Sequence, residues 1–489
     1  MHDYEKTHSD TIRSLGGECT VLLRSNGAFP LPEPCEIALY GSGARRTVKG
    51  GTGSGEVNSR YMVSAEEGLK NAGFTILTKD WLDTYDTIRT NAKQEFICGL
   101  HKQASEHHTL AVFESMGAVM PEPEYEIPFC AENCPAVYVL SRICGEGSDR
   151  RPVPGDILLT ETEIRDINAL DQKHSPFMLV LNTGGPVDLS PVKDVSNILI
   201  LSQLGAETGN ILADLILGRS VPSGKLTTTW SVWEDYARIG TFGERDDTLY
   251  QEGIYVGYRY FDSVGKKALF PFGHGLGYTA FGLNCVSVKE AAGTITLRAS
   301  VRNTGKYIGK ETAQLYVSLP QGRLDQPYQV LAAFAKSKEL LPQEEEELTL
   351  TFDLRDLASY DKTKASWILE AGDYILRLGN SSTETTPAAV LRISREIIVR
   401  TCRNCFTEPW FTDWKPQERT EEHISGVPIL NISTDTFITR KTDYALREET
   451  EPLIETLSDA ELAYLNIGAF DPNLGPLSII GNASKSVAG

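Results

Sequence analysis

The residues best suited to chemistry lie in Arg142–Arg150, RICGEGSDR. Here a carboxyl group, Glu146, stands between two glycines. It comes just after a short apolar run, Ala136–Leu140 (AVYVL), that reads as a buried strand. A carboxyl on a Gly-flanked loop at the carboxyl end of a parallel sheet can be aimed at a ligand, because open α/β sheets bind ligands at that edge. An ordinary polar loop has the same composition, so the rest of the chain must decide.

A second candidate loop, GSGARRTVKGGTGSGEVN at Gly41–Asn58, follows the apolar run Ile37–Tyr40. Its glycines permit positive φ and a close backbone approach to a ligand. A phosphate cradle needs Gly-Lys-Ser/Thr or the G-x-G-x-x-G spacing. Lys49 is followed by Gly50 and Gly51, and neither Gly41/Gly43 nor Gly51/Gly53 has the third glycine in place. A loop lining a pocket is therefore preferred to nucleotide binding. Cys402-x-x-Cys405 and Cys130-x-x-x-Cys134 hold enough thiols for zinc, but in irregular spacing, so free thiols are expected and neither metal nor cofactor. His274, in FPFGHGLGY, reads as a packed or hydrogen-bonded histidine in a Gly-rich turn.

These loops need elements to position them. Six apolar runs lacking alternation mark strands buried on both faces: Ile37–Tyr40, Phe74–Leu77, Leu110–Phe113, Ala136–Leu140, Phe177–Leu181 and Ile198–Leu201. Helical patterns lie between them. Two open with capping boxes, Ser64-x-x-Glu67 and Thr160-x-x-Glu163, and a third spans Thr208–Leu217. The alternation predicts an α/β domain, a mostly parallel sheet covered by helices. From about Cys285 the period changes to two, as in Ile295, Leu297, Ala299 and Val301, which predicts a small antiparallel β-sandwich. The charge run Glu344–Glu347 reads as a solvated turn leading into a strand. Residues 399–450 read as an extended linker, and helical spacing returns at Leu453–Leu465 behind Ser458-x-x-Glu461.

The chain has 489 residues, 47 Lys plus Arg and 66 Asp plus Glu, for a net charge of −19. That balance argues against nucleic acid or an anionic membrane as partner and suits a neutral ligand. No stretch approaches the ~20 apolar residues that span a bilayer. The polar N-terminus shows no signal peptide, and nine cysteines, an odd number, suggest reduced thiols in a cytoplasm.

The motifs together resemble family 3 glycoside hydrolases, the β-glucosidase family. The matches run in order: GECTVLLRSNGAFPL at Gly17–Leu31, KGGTGSGEVN at Lys49–Asn58, GEGSDR at Gly145–Arg150 and LGAETGNILADLILGRSVPSGKL at Leu204–Leu226. YQEGIYVGYRYFD at Tyr250–Asp262 and FPFGHGLGYTAF at Phe270–Phe281 follow. VRNTGKYIGKETAQLYVS at Val301–Ser318 and DLASYD at Asp356–Asp361 resemble the family's fibronectin-III-like domain. The resemblance covers roughly residues 10–395.

It implies a six-stranded, mostly parallel α/β sandwich over 1–282, a fibronectin-III-like domain over 283–398 and, after the linker, the start of an incomplete (β/α)₈ barrel at 451–489. In the family the barrel supplies a nucleophilic Asp and the sandwich supplies the general acid/base, which implies that role for Glu146. Lys49, Gly50, Gly51, Thr52, Gly53 and Ser54 are expected to border the sugar or aglycone. Asp149 and Arg150 are expected chiefly to shape the acid/base loop, with sugar contact as the lesser reading. A retaining mechanism needs two carboxyls about 5–5.5 Å apart, the acid/base with its pKa raised.

The order is inverted relative to most of the family, as in a subgroup with its barrel last. No Ser-Asp-Trp-type nucleophile motif is read, nor a Lys-His pair for gripping the sugar. The expectation is a truncated polypeptide or a barrel on a second subunit, and no hydrolysis by these residues alone. The implied substrate is a β-glucoside or short oligosaccharide. The alternative is a non-catalytic carbohydrate-binding or regulatory protein derived from the enzyme.

Overall fold

The computed structural model describes residues 2–51, 55, 57–108, 120–144, 150–236, 239–241, 244, 246–405, 410–417, 424–443 and 452–467. The chain divides into two compact units, Met1–Thr439 and Arg440–Gly489.

The first unit begins with α1 (Asp3–Cys19), β1 (Val21–Arg24), β2 (Glu36–Tyr40), α2 (Ala65–Ala72), β3 (Thr75–Ile76), α3 (Lys79–Glu106) and β4 (Ala136–Arg142). It continues with α4 (Glu161–Lys173), β5 (Phe177–Thr183), β6 (Ile198–Ile200), α5 (Thr208–Ile216), α6 (Trp233–Tyr236) and α7 (Tyr258–Val264). Six strands form one sheet in the order β1-β6-β5-β4-β2-β3. All neighbours are parallel except β1, which runs antiparallel to β6. β5 is buried throughout, as its unbroken apolar run requires. Both capping boxes form: Ser64 and Thr160 each accept from the backbone of a glutamate three residues on, and that carboxylate returns the bond.

Two details of this sheet differ from expectation. The sixth strand of this sheet is Val21–Arg24, and the expected strand Leu110–Phe113 lies outside the described residues. The run Phe74–Leu77 shortens to two strand residues, because Phe74 donates its N–H to Leu69 and serves the end of α2 instead.

The antiparallel part holds β7 (Phe281–Ala291), β8 (Thr294–Asn303), β9 (Thr312–Ser318), β10 (Gln329–Lys336), β11 (Glu345–Asp353), β12 (Ser359–Asp361), β13 (Ser366–Leu369), β14 (Gly372–Gly379), β15 (Thr385–Ile393), β16 (Ile397–Thr401) and β17 (Ile429–Ile432). One sheet orders as β11-β8-β7 and another as β10-β9-β14-β15-β17. Ile295, Leu297, Ala299 and Val301 of β8 are fully buried, as their period predicts. The charge run lies mostly in β11 rather than in a turn: Glu345 accepts from Ser300, and Glu347 pairs with Arg298 across the ladder. Within the expected linker, Ile429–Ile432 adds a parallel strand to β15.

β9 breaks its expected alternation, being buried on both faces. Ala313, Leu315 and Val317 fill the sandwich core. On the opposite face Gln314 donates to the Gly273 carbonyl at 3.0 Å and accepts from the Tyr316 hydroxyl, and the Tyr316 ring meets Tyr258 of α7. Around this seam Lys225 pairs with Glu311 at 2.6 Å and Lys310 with Glu18 at 2.6 Å. Helix α7 docks through Tyr258, Asp262 and Ser263, which accept hydrogen bonds from Leu331 N, Gln329 Nε2 and Tyr328 N.

Burial pushes the Asp262 carboxyl up to about 6 from an ordinary 3.8, against the opposing pull of the hydrogen bond from Gln329. A carboxyl that holds its proton more tightly folded than unfolded stabilises the fold at low pH. That contribution is lost as pH rises from about 4 through 6, at most about 3 kcal/mol. Asp262→Asn is therefore expected to raise the melting temperature above neutrality and to leave it unchanged near pH 4. Equal shifts at both pH values would contradict this.

In the second unit, short helices span Pro452–Glu455 and Asp459–Ile467, the latter capped by Ser458 and Glu461. Residues 451 and 468–489 of the expected barrel start lie outside the described residues. Among the described residues no helix is long and apolar enough to cross a membrane.

Candidate active site

The parallel strands order as β6-β5-β4-β2-β3, so the winding reverses between β2 and β4. Ligand crevices of open α/β sheets form at the carboxyl ends of the strands flanking such a reversal. The loops leaving these two strands are the two that the sequence singles out, one from Gly41 and the other from Ile143.

The first loop leaves close against its neighbour strand. A side chain at Gly41 would come within 2.5 Å of the Val139 carbonyl, and one at Gly43 within 2.2 Å of the Ser141 hydroxyl. These glycines permit close approach to β4 rather than to a ligand. Arg45 then ties the loop to Glu66 at 2.7 Å, Asp83 at 2.6 Å and Asp86 at 3.0 Å. Lys49 donates to the Val57 carbonyl and, at 2.8 Å, to Ser59 Oγ, so its ammonium closes its own loop. Gly50 and Gly51 follow; Thr52, Gly53 and Ser54 lie outside the described residues.

Asn182, fully buried at the end of β5, joins these strand ends. Its Oδ1 accepts from Val48 N at 2.6 Å and Ser141 Oγ at 2.8 Å, and its Nδ2 donates to the carbonyls of Val48 at 2.9 Å and Ser202 at 2.6 Å. All four hydrogen-bonding positions of one amide are thus used.

The second loop is anchored on both sides of 145–149. On the strand side, Arg142 Nη2 donates to Glu163 Oε2 at 2.6 Å and Nε to the Asp156 carbonyl at 3.0 Å. The pair is almost dry, at 4% and 2% side-chain exposure. Burial opposes the charge on Arg142, but Glu163 and Glu122 outweigh it and hold the guanidinium above its ordinary value. On the far side, Arg150 donates to Asp156 Oδ1 at 2.6 Å and the Pro186 carbonyl at 2.8 Å, while Asp156 Oδ2 accepts from Arg151 N at 2.7 Å. A side chain at Gly184, just past β5, would lie 3.0 Å from Cys144 Cβ, so glycine there lets the loop pass closely.

Both loops therefore root on one short stretch, Asn182–Pro186. Glu146 and Asp149 lie outside the described residues. Arg150 lies at this edge, bonded to Asp156 and to the Pro186 carbonyl. The sequence reading missed Asn182, Arg142, Asp156 and Glu163. A polar residue ending the run FMLVLNT was the available signal for Asn182.

His274 does not join this edge. Its Nε2 donates to the Leu23 carbonyl at 3.0 Å, its ring packs on Phe270, and burial lowers its pKa. Among the described residues no cluster of His, Cys, Asp and Glu could hold a metal ion.

Comparison with known proteins adds to this geometry. Residues 20–278 match the glycosyl hydrolase family 3 C-terminal domain, and residues 311–382 match a fibronectin type III-like domain. Beta-glucosidase A of Butyrivibrio fibrisolvens is 32% identical over 79% of this chain and 51% of its own length. Thermostable beta-glucosidase B of Acetivibrio thermocellus is 31% identical over 81% and 50%. The structure of beta-glucosidase 3B from Thermotoga neapolitana in complex with alpha-D-glucose superposes with a TM-score of 0.69 at 35% identity, covering 81% of this chain and 55% of that one. The chain spans about half the length of the curated relatives it matches.

Proposed function

The chain belongs to glycosyl hydrolase family 3, and from that premise we propose that it is the acid/base half of a retaining β-glucosidase acting on terminal β-D-glucosyl residues. Glu146 protonates the departing aglycone oxygen and then takes a proton from the incoming water. The nucleophilic carboxylate comes from a (β/α)₈ barrel, on the same polypeptide or on a second subunit. Lys49 and its neighbouring glycines shape the rim of the sugar subsite, and Asp149 and Arg150 hold the acid/base loop. The odd cysteine count supports a cytoplasmic setting.

The observation that carries this reading is the double anchoring of the loop on Arg142 and Arg150 at the reversal point of the sheet. An acid/base must meet the anomeric centre within a fraction of an ångström, and one buried and one part-buried fastener flanking its loop support such a role.

The test is reconstitution. The 489 residues alone are expected to leave p-nitrophenyl β-D-glucopyranoside intact, because the covalent step lacks its nucleophile. A family barrel, fused or added, should restore turnover with retention at the anomeric carbon. Turnover by the lone chain would overturn the division of labour. Glucose binding without turnover beside any barrel would favour a non-catalytic binding protein.

A further inference from the structure

A cavity of about 810 Å³ opens at the seam between the α/β domain and the sandwich, lined from α7, the 265–276 turn, Tyr328, Gln329 and the 377–385 hairpin. It is large enough for a small organic ligand, and its walls mix apolar and convergent polar groups. We propose that this cavity is a second carbohydrate-binding site, taking a neutral mono- or disaccharide.

Charge selects the class. Lys266 is already neutralised by Asp235. Lys267 and Arg377 line the cavity together with Asp262 and Glu384, so its wall carries both signs. A wall of mixed sign favours neither an anion nor a cation, whereas a neutral polyol can hydrogen-bond to groups of both signs.

Geometry points the same way. Asp262, Gln329, Asn380 and Arg377 present planar polar groups, which suit vicinal hydroxyls because they donate or accept in pairs. Arg377 is held for such a role, with Nε on Ser318 Oγ at 2.8 Å and its guanidinium 5.8 Å from the Tyr328 ring centre. Gln329 is 2% exposed and spends its Nε2 on Asp262 and the Ser382 carbonyl, while its Oε1 keeps no partner. A buried amide oxygen without a donor is costly, and a ligand hydroxyl is the kind of group that would satisfy it. Phe261 and Leu269 supply apolar wall for the face of the ring.

The site is independent of Glu146, so it stands or falls apart from the catalytic reading. Cellobiose, glucose and inorganic phosphate are titrated separately into the 489-residue chain, with binding followed by calorimetry. Ala268 lines the cavity, and Ala268→Trp should fill it. The milder pair Asn380→Ala and Glu384→Ala serves should the filled variant not fold. The expected result is saccharide binding that weakens about tenfold or more in these variants and persists in Glu146→Gln, with no response to phosphate. No saccharide binding up to about 10 mM, binding unchanged in the cavity variants, or phosphate binding in its place would each overturn the proposal.

Discussion

Glu146→Gln, in the chain working with a family barrel, is expected to lower turnover of alkyl β-glucosides and disaccharides by about 10²–10⁴-fold. These aglycones leave as poor alkoxides unless a proton arrives with bond cleavage. A p-nitrophenolate or dinitrophenolate leaves without help, so the glycosyl-enzyme still forms with those substrates and then waits for a deprotonated water. Azide needs no general base and should release the intermediate as a β-glycosyl azide. The comparison of leaving groups, with azide added, separates an acid/base from a residue that only shapes the pocket. Equal loss for both aglycone classes and no azide rescue would remove Glu146 from the role.

Arg142→Met should cost about 3–5 kcal/mol in urea unfolding. The substitution leaves the Glu163 carboxylate buried at 2% exposure without its cation and removes the donor to the Asp156 carbonyl. Glu163 also serves as the capping-box residue of α4, accepting from Thr160 N at 2.9 Å. Adding Glu163→Gln should recover much of the loss, because the amide keeps an acceptor for the cap while the isolated charge disappears. A single variant within 1 kcal/mol of the parent, on the order of a surface substitution, would mean that the pair is not the fastener its burial implies.

The two predictions probe opposite ends of what the sequence disclosed. Strand interiors were legible because burial on both faces leaves unbroken apolar runs such as FMLVL, and the helix starts because a capping box is local. The GEGSDR segment was singled out through its match to a family motif. Its fastening was not. Asn182 meets Val48 across 134 positions of chain, and no local pattern announces such a bond. Val21–Arg24 escaped because its place in the sheet is set by antiparallel pairing with Ile198–Ile200, far along the chain. The charge run Glu344–Glu347 looked like a turn because its partners, Ser300 and Arg298, sit on another strand.

Strand β9, covered on both sides, has a practical corollary. Cutting the polypeptide near residue 282 would not yield two tidy modules. It would strip Gln314 and Tyr316 of their cover and strand Lys225 and Glu18 without counter-ions. The β-rich portion is therefore a built-in buttress, unsuited to transplantation as a stand-alone cassette. Expression trials on this protein should keep its first 439 residues whole.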